Sequence, residues 1–204
     1  MPQPSGLSAT TNHHTPDAER RKLAGDEGVW FFIAADISLF AVLFAAFMYH
    51  RYEAPLLFEQ SRQLLSANLG VLNTLILLTS SWLVALAVHA ARQGEQQRVV
   101  RLLIFAMVVG SGFAVTKAVE YAEKIQAGLT MVHNDFFMFY WTLTGLHFLH
   151  FIIGMLALGV CVYRAKQGLD SRYLIWLESS GCYWHMVDLL WIILFPMIYL
   201  LRLG

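Results

Sequence analysis

The sequence predicts an all-α membrane protein in which five transmembrane helices form one bundle, and three observations support this fold class. Of the 204 residues, 57% are hydrophobic and only 14% are charged, whereas charged residues make up about 25% of a typical soluble domain. Five apolar stretches are long enough to cross a bilayer core of about 30 Å as helices. The linkers between them are short and polar. The net charge of zero gives no indication of a nucleic-acid-binding surface.

A change of composition near the N-terminus sets the predicted domain boundary. Residues 1–24 are rich in Pro, Ser and Thr and have no apolar face, which predicts a disordered cytoplasmic tail. The remaining residues, 25–204, are expected to form the five-helix transmembrane domain. Its predicted spans are residues 28–50, 68–90, 99–122, 136–163 and 178–201.

The first three spans qualify by different features. In the first span, about a dozen large apolar residues outweigh Asp36, whose insertion costs roughly 2.5–3.5 kcal/mol. The second span qualifies by its length and its apolar content. The third span has small residues spaced by four, which predict a helix-packing seam because lipid provides no hydrophobic drive between helices. The predicted seam consists of Ala106, Gly110, Ala114 and Ala118.

The last two spans carry histidines in otherwise apolar sequence. The fourth span contains His147 and His150, and the fifth contains His185 and Asp188 at the same spacing of three. Pro196, in the fifth span, has no backbone N–H to donate, so we expect a bend there.

The orientation of the bundle is predicted from the Lys and Arg residues that flank the spans, because cytoplasmic flanks carry the excess. One side has nine such residues and the other has four, which places the N-terminus in the cytoplasm and the C-terminus in the periplasm. The nine are Arg20, Arg21, Lys22, Arg92, Arg98, Arg101, Arg164, Lys166 and Arg172, and the four are Arg51, Arg62, Lys124 and Arg202.

Counting 1.5 Å per helical residue places five ionisable residues in one layer of the inner leaflet, where we expect a buried polar cluster joining spans one, four and five. These residues are Asp36, His147, His150, His185 and Asp188. A second polar group is expected near the outer end of span three. It consists of Lys117, Glu120, Tyr121 and Glu123.

Three interpretations of the inner cluster remain open. The groups tie helices together or contact lipid headgroups, or they bind a metal or heme, or they form part of a proton path. The sequence has no Glu-x-x-His of the kind that di-iron bundles use, and the outer half of the bundle shows no continuing proton chain before Glu120. No nucleophile motif or phosphate-binding loop is present. The residues by themselves therefore provide no candidate catalytic residue and no complete metal site, and they favour the first interpretation.

Five stretches, one in each span, together resemble subunit III of the heme–copper oxidase superfamily. The resemblance covers residues 28–203, and each stretch matches a family helix in the expected order. The stretches are "GVWFFIAADISLF", "LNTLILLTSS", "VEYAE", "TGLHFLHFIIG" and "YWHMVDLLWIILF".

The resemblance implies a subunit of a respiratory electron-transport complex in the bacterial inner membrane. Such a subunit binds no heme or metal itself, holds phospholipid between its helices and packs beside a catalytic subunit that carries the heme. The family's longer members have seven spans, whereas this chain begins at the third. The glycine between the two family histidines is Phe148 here. The stretch "HNDFFMFYW" before the fourth span, together with "GCYWHMVDLLWIILFPMIYL" in the fifth, resembles most closely the five-helix branch associated with nitric oxide reductase, the NorE type.

The function expected from the sequence is therefore that of a non-catalytic accessory subunit, supporting assembly or turnover of a nitric oxide reductase system in denitrification. The first alternative is subunit III of an oxygen-reducing quinol or cytochrome c oxidase. Alternatives of another class are a stand-alone membrane metalloenzyme and a small proton-coupled transporter.

Overall fold

A computed structural model describes residues 27–202, within which six α-helices are followed by a short π-helix. The helices are α1 (Glu27–Glu53), α2 (Pro55–Arg62), α3 (Ala67–Arg92), α4 (Gln96–Gln126), α5 (Asp135–Ala165) and α6 (Ser171–Phe195), and the π-helix is Pro196–Leu200. Five segments are long and apolar enough to cross a membrane: Gly28–Glu53, Ala67–Arg92, Gln96–Gln126, Asp135–Ala165 and Arg172–Leu200. The predicted all-α class with five spans is confirmed. The predicted tail, residues 1–24, lies outside the described residues.

The four helices α3 to α6 form a ring in which each packs against the next and α6 also packs against α3. Helix α1 lies outside this ring, in the groove between α5 and α6. In the last span, 67% of an apolar 18-residue stretch is buried within the bundle. In the first span, the buried share of such a stretch is only 22%. The last span therefore forms the centre of the bundle, and α1 is peripheral.

Side-chain caps and glycines define the ends of several helices. The side chain of Asn134 accepts a hydrogen bond from the Phe137 backbone N–H at 2.9 Å at the start of α5. Asp170 accepts one from the Tyr173 backbone N–H at 2.6 Å at the start of α6. Such caps satisfy N–H groups that have no partner within the helix. Gly94, with a φ of 75°, follows the end of α3 in a conformation that favours glycine.

Helix α2 lies where the sequence analysis expected only a polar linker. Pro55 occupies the first turn, where its missing N–H costs no helical hydrogen bond. The side chain of Phe58 is fully buried, with its ring centroid 5.3 Å from that of Phe47 and 5.6 Å from that of Phe136. This aromatic contact anchors the short helix across the ends of α1 and α5.

At Pro196, where the sequence predicts a bend, the structure has a π-helix. Because proline has no N–H, the regular α-helical pairing cannot continue through this residue. The backbone widens, and the N–H of Leu201 donates to the carbonyl of Pro196 at 2.9 Å. The wider turn keeps Tyr199 buried inside the bundle.

The buried face of α4 follows steps of four and three residues, through Val99, Leu103, Ala106, Gly110, Phe113, Lys117 and Glu120. Of the four seam residues predicted from the sequence, Ala106 and Gly110 are buried, Ala114 is half-buried and Ala118 is exposed. A row of residues spaced by four drifts around a helix by about 40° per step, so the predicted seam leaves the packed face. At Gly110, an added Cβ would lie 3.2 Å from Ser80 Oγ and 3.3 Å from Trp184 Cζ2.

Candidate functional site

Asp36 and His150 link the peripheral α1 to α5. The Nε2 atom of His150 lies 2.9 Å from Oδ2 of Asp36, and both residues are buried. The two side chains form a close acid–base contact, although Oδ2 of Asp36 accepts no hydrogen bond of standard geometry from the described residues. The Nδ1 atom of His150 lies 2.8 Å from the carbonyl oxygen of Leu146, which can only accept, so Nδ1 carries a hydrogen.

The contact places an acid beside a base within the bundle. Pairing two such groups with each other reduces the cost of burying either one in the membrane.

His147 links α5 to α6 through the backbone. Its Nε2 atom donates to the carbonyl oxygen of Val187 at 3.0 Å, while Nδ1 has no hydrogen-bond partner in the described part of the chain. The ring is fully buried, with its centroid 5.5 Å from that of Phe113 and 5.2 Å from that of Trp191. The residue is an aromatic packing element with one interhelical hydrogen bond.

His185 and Asp188 face different surroundings on α6. The Nδ1 atom of His185 contacts the hydroxyl of Ser81 on α3, and the imidazole is exposed on the outside of the bundle. Asp188 is buried, and its carboxylate lies beside the hydroxyl of the same Ser81.

The five residues expected as one inner cluster thus fall into three separate sets of contacts: Asp36 with His150, His147 with the backbone of α6, and both His185 and Asp188 with Ser81 on α3. Residues three apart on a helix point about 60° away from each other, which is enough to direct two neighbours towards different helices. Within the part of the chain that the structure describes, no three His, Cys, Asp or Glu residues are grouped so as to hold a metal ion.

The outer polar group is a buried network around an ion pair. Lys117 and Glu120 are almost completely inaccessible, and Nζ of Lys117 lies 2.9 Å from Oε2 of Glu120. Lys117 also donates to the hydroxyl of Tyr199 at 3.0 Å. The other carboxylate oxygen, Oε1, accepts hydrogen bonds from Tyr199 at 2.6 Å and from Tyr140 at 3.0 Å. The network joins α4, α5 and the π-helix.

Aromatic rings surround the ammonium group of Lys117. Its Nζ lies 5.0 Å from the ring centroid of Tyr121 and 5.3 Å from those of Tyr140 and Trp191, which are cation–π distances. Tyr121 donates its own hydroxyl to Thr144 at 2.9 Å. Glu123, the fourth residue predicted for this group, is exposed on α4.

Sequence analysis missed Tyr140 and Tyr199, which provide two of the donors to Glu120. A tyrosine near the end of a span is ordinarily attributed to the membrane interface. Counting depth along the last two spans would have placed both residues at the level of Glu120, since the fourth span runs inwards and the fifth outwards.

At the end of the bundle that is predicted to be periplasmic, α2 is fixed to the end of the last span. The Nη2 atom of Arg62 lies 2.5 Å from Oε1 of Glu59, and Nη1 of Arg62 donates to the carbonyl oxygen of Tyr199 at 3.3 Å. The hydrogen bond with Glu59 raises the pKa of Arg62 above its usual value. These contacts cover the outer end of the Lys117 network with a polar layer.

A family model of cytochrome c oxidase subunit III matches residues 8–202 of this chain. The chain belongs to the cytochrome c oxidase subunit III family. Quinol oxidase subunit 3 of Bacillus spizizenii and that of Bacillus subtilis are each 32% identical to it over 180 residues, covering 87% of this chain and 87% of either relative.

Of two further relatives of this chain, one is longer and one has a similar length. The cytochrome c oxidase subunit 3 of Pelomedusa subrufa is 30% identical over 210 residues, which cover 94% of this chain and 74% of that protein. The probable quinol oxidase subunit 3 of Staphylococcus aureus is 25% identical over 193 residues, covering 94% of both chains.

Family membership confirms the resemblance found in the sequence, at the level of subunit III. The chain is a subunit of a terminal oxidase complex, and subunit III is not the catalytic one. The relatives named above are quinol and cytochrome c oxidase subunits, so they favour the oxidase alternative over the nitric oxide reductase branch that the sequence analysis preferred.

Proposed function

We propose that this chain is the accessory subunit III of an oxygen-reducing quinol oxidase in the bacterial plasma membrane. The observation that carries the proposal is the similarity to quinol oxidase subunit 3 of two Bacillus species, at 32% identity across 87% of both chains.

The polar contacts support a structural role within the complex. The buried ion pair of Lys117 and Glu120 has partners on every side, and the Asp36–His150 pair holds a peripheral helix in place. Neither arrangement offers an open coordination position. In this proposal the heme and copper reside in the catalytic partner, and phospholipid packs against the exposed apolar faces of the spans.

Purification from native membranes in a mild detergent tests the proposal. We expect a tagged chain to retain a polytopic heme-bearing subunit, and the complex to consume oxygen with a quinol as electron donor. Oxygen consumption that requires reduced cytochrome c would reassign the complex to the cytochrome c oxidases. Consumption of nitric oxide instead of oxygen would restore the nitric oxide reductase interpretation, and recovery of the chain without heme would refute the proposal.

A further inference from the structure

The π-helix Pro196–Leu200 is an unusual end for a transmembrane span. The N–H of Leu201 donates to the carbonyl of Pro196, five residues earlier, whereas the hydrogen bonds of an α-helix join residues four apart. A proline alone kinks a helix or ends it, and π-helical turns are rare and occur frequently at functional sites. The contacts of this turn with the rest of the bundle should therefore account for its presence.

Tyr199, within the turn, is held by the bundle at both its hydroxyl and its backbone carbonyl. The hydroxyl donates to Oε1 of Glu120 at 2.6 Å and accepts from Nζ of Lys117 at 3.0 Å. The carbonyl oxygen accepts from Nη1 of Arg62 at 3.3 Å. Arg62 belongs to α2 at the end predicted to be periplasmic, where it pairs with Glu59 at 2.5 Å. One residue of the π-turn thus joins a surface helix to an ion pair inside the bundle.

The residue that precedes the turn is fixed by a different contact. An added Cβ at Gly70 of α3 would overlap the ring of Phe195, so this ring packs directly against the α3 backbone. Phe195 therefore sets the rotation of α6, and a change in the turn moves only the residues that follow. If the turn became α-helical, those residues would rotate by up to about 100°, the angle between successive residues of an α-helix. The hydroxyl of Tyr199 would then leave Glu120.

We propose that the π-turn is a two-position latch through which α2 controls the buried ion pair of Lys117 and Glu120. In the held position, which the structure shows, Arg62 and Glu120 keep Tyr199 in the π-helical turn. In the released position the turn is α-helical and the tyrosine ring faces lipid. Both sets of contacts exist only in the held position, so each increases its population and the two are coupled. The latch belongs to the chain itself and is independent of which terminal oxidase contains it.

Fluorine NMR on the full chain in lipid nanodiscs tests for the released position. 3-Fluorotyrosine is incorporated at position 199 or at position 140, and a spin-labelled fatty acid broadens the signal of a ring that faces lipid. Tyr140 is the matched control, because it donates to the same Glu120 from a regular α-helix.

We expect Arg62→Met to increase the broadened fraction at position 199 about fivefold, which corresponds to about 1 kcal/mol of hydrogen bonding. Pro196→Ala restores the N–H that an α-helix requires and should increase this fraction further. Position 140 should stay protected in both variants. Protection of position 199 in both variants, or equal broadening at the two positions, would overturn the inference.

A double-mutant cycle tests the coupling between the two contacts of the latch. Tyr199→Phe removes the hydroxyl, and Arg62→Met removes the donor to the carbonyl. The second substitution should lower the free energy of unfolding less than it does alone, because the first has already released the turn.

The control for this cycle is Arg92→Met, which breaks the ion pair of Arg92 with Glu178 at the opposite end of the bundle. Its effect should add fully to that of Tyr199→Phe. Additive effects of Arg62→Met and Tyr199→Phe would contradict the latch, and so would equal departures from additivity with Arg62→Met and with Arg92→Met.

Discussion

Two histidines three residues apart on α5 contact different helices. His147 donates to the backbone of α6, and His150 faces Asp36 on α1. In each ring one nitrogen pairs with a backbone carbonyl, which fixes the tautomer and leaves the other nitrogen to its surroundings. For His150 those surroundings are a carboxyl group on a peripheral helix, so the strength of this single contact bears directly on how firmly α1 is held.

Two substitutions of Asp36 should distinguish the contribution of side-chain shape to stability from the contribution of hydrogen bonding. In Asp36→Asn, the amide can still donate to Nε2 of His150, so we expect little change in the thermal stability of the detergent-solubilised chain. Asp36→Leu leaves Nε2 unpaired, and we expect a loss of about 1 kcal/mol, within the range of interhelical hydrogen bonds in membranes. Equal stability of the two variants would show that the pair does not hold α1.

Removal of one partner of the Lys117–Glu120 pair should be more damaging. Lys117→Met leaves the carboxylate of Glu120 buried with only tyrosine donors, and we expect a loss of about 3–5 kcal/mol, as for other broken buried pairs. The double variant Lys117→Met with Glu120→Gln removes both charges and should recover part of that loss. A double-mutant cycle of unfolding measures this, and additive effects would contradict the coupling.

The types of these residues were visible in the sequence, but their partners were not. An ionisable side chain inside an apolar span is readily identified, as Asp36, Lys117 and Glu120 were. Which helix it meets depends on the rotation of each helix about its axis, and a separation of three residues changes that direction by about 60°. That rotation also brings Tyr140 and Tyr199 to Glu120.

At the scale of helices, close packing of α5 on α6 depends on a glycine. A Cβ at Gly154 would lie 2.7 Å from Cε3 of Trp184, a ring carbon of a side chain that is itself fully buried. Large rings on one helix therefore require small residues on the other, as is typical of membrane bundles.

Gly154→Ala should destabilise the bundle by about 1–3 kcal/mol, the usual cost of an overpacked core. Gly145→Ala is the matched control on the same helix, because an added Cβ there meets no atom within 4 Å. Thermal unfolding of the two variants in detergent provides the comparison. If both unfold at the wild-type temperature, then Trp184 moves freely enough to accommodate the methyl group.

The long helices follow from composition alone, whereas the short elements do not. Five spans could be recognised because about 20 apolar residues suffice to identify each one. Helix α2 has only eight residues and depends on tertiary contacts of Phe58. The π-helix after Phe195 depends on how the chain accommodates the missing N–H of Pro196, where the sequence predicts a disruption but not its geometry.

For the whole molecule, the distribution of Lys and Arg predicts the orientation. Alkaline phosphatase, which is active only in the periplasm, should be active when fused in the loop at Ala127, after α4. It should be inactive when fused at Gln93, after α3, or at Gln167, after α5. The opposite pattern would place the N-terminus outside the cell and show that the flanking charges do not orient this chain.

The central position of the last span sets an order of events during biosynthesis. Residues of α1 and α4 enter the bilayer before the ribosome has made the groups that complete their pairs. Asp36 lacks its contact with His150 until the fourth span is inserted, and Lys117 lacks the hydroxyl of Tyr199 until the end of the fifth span has been made. A chain that stops before Tyr199 would leave the earlier helices in lipid without the element that joins them, which makes it a natural target for membrane quality-control proteases.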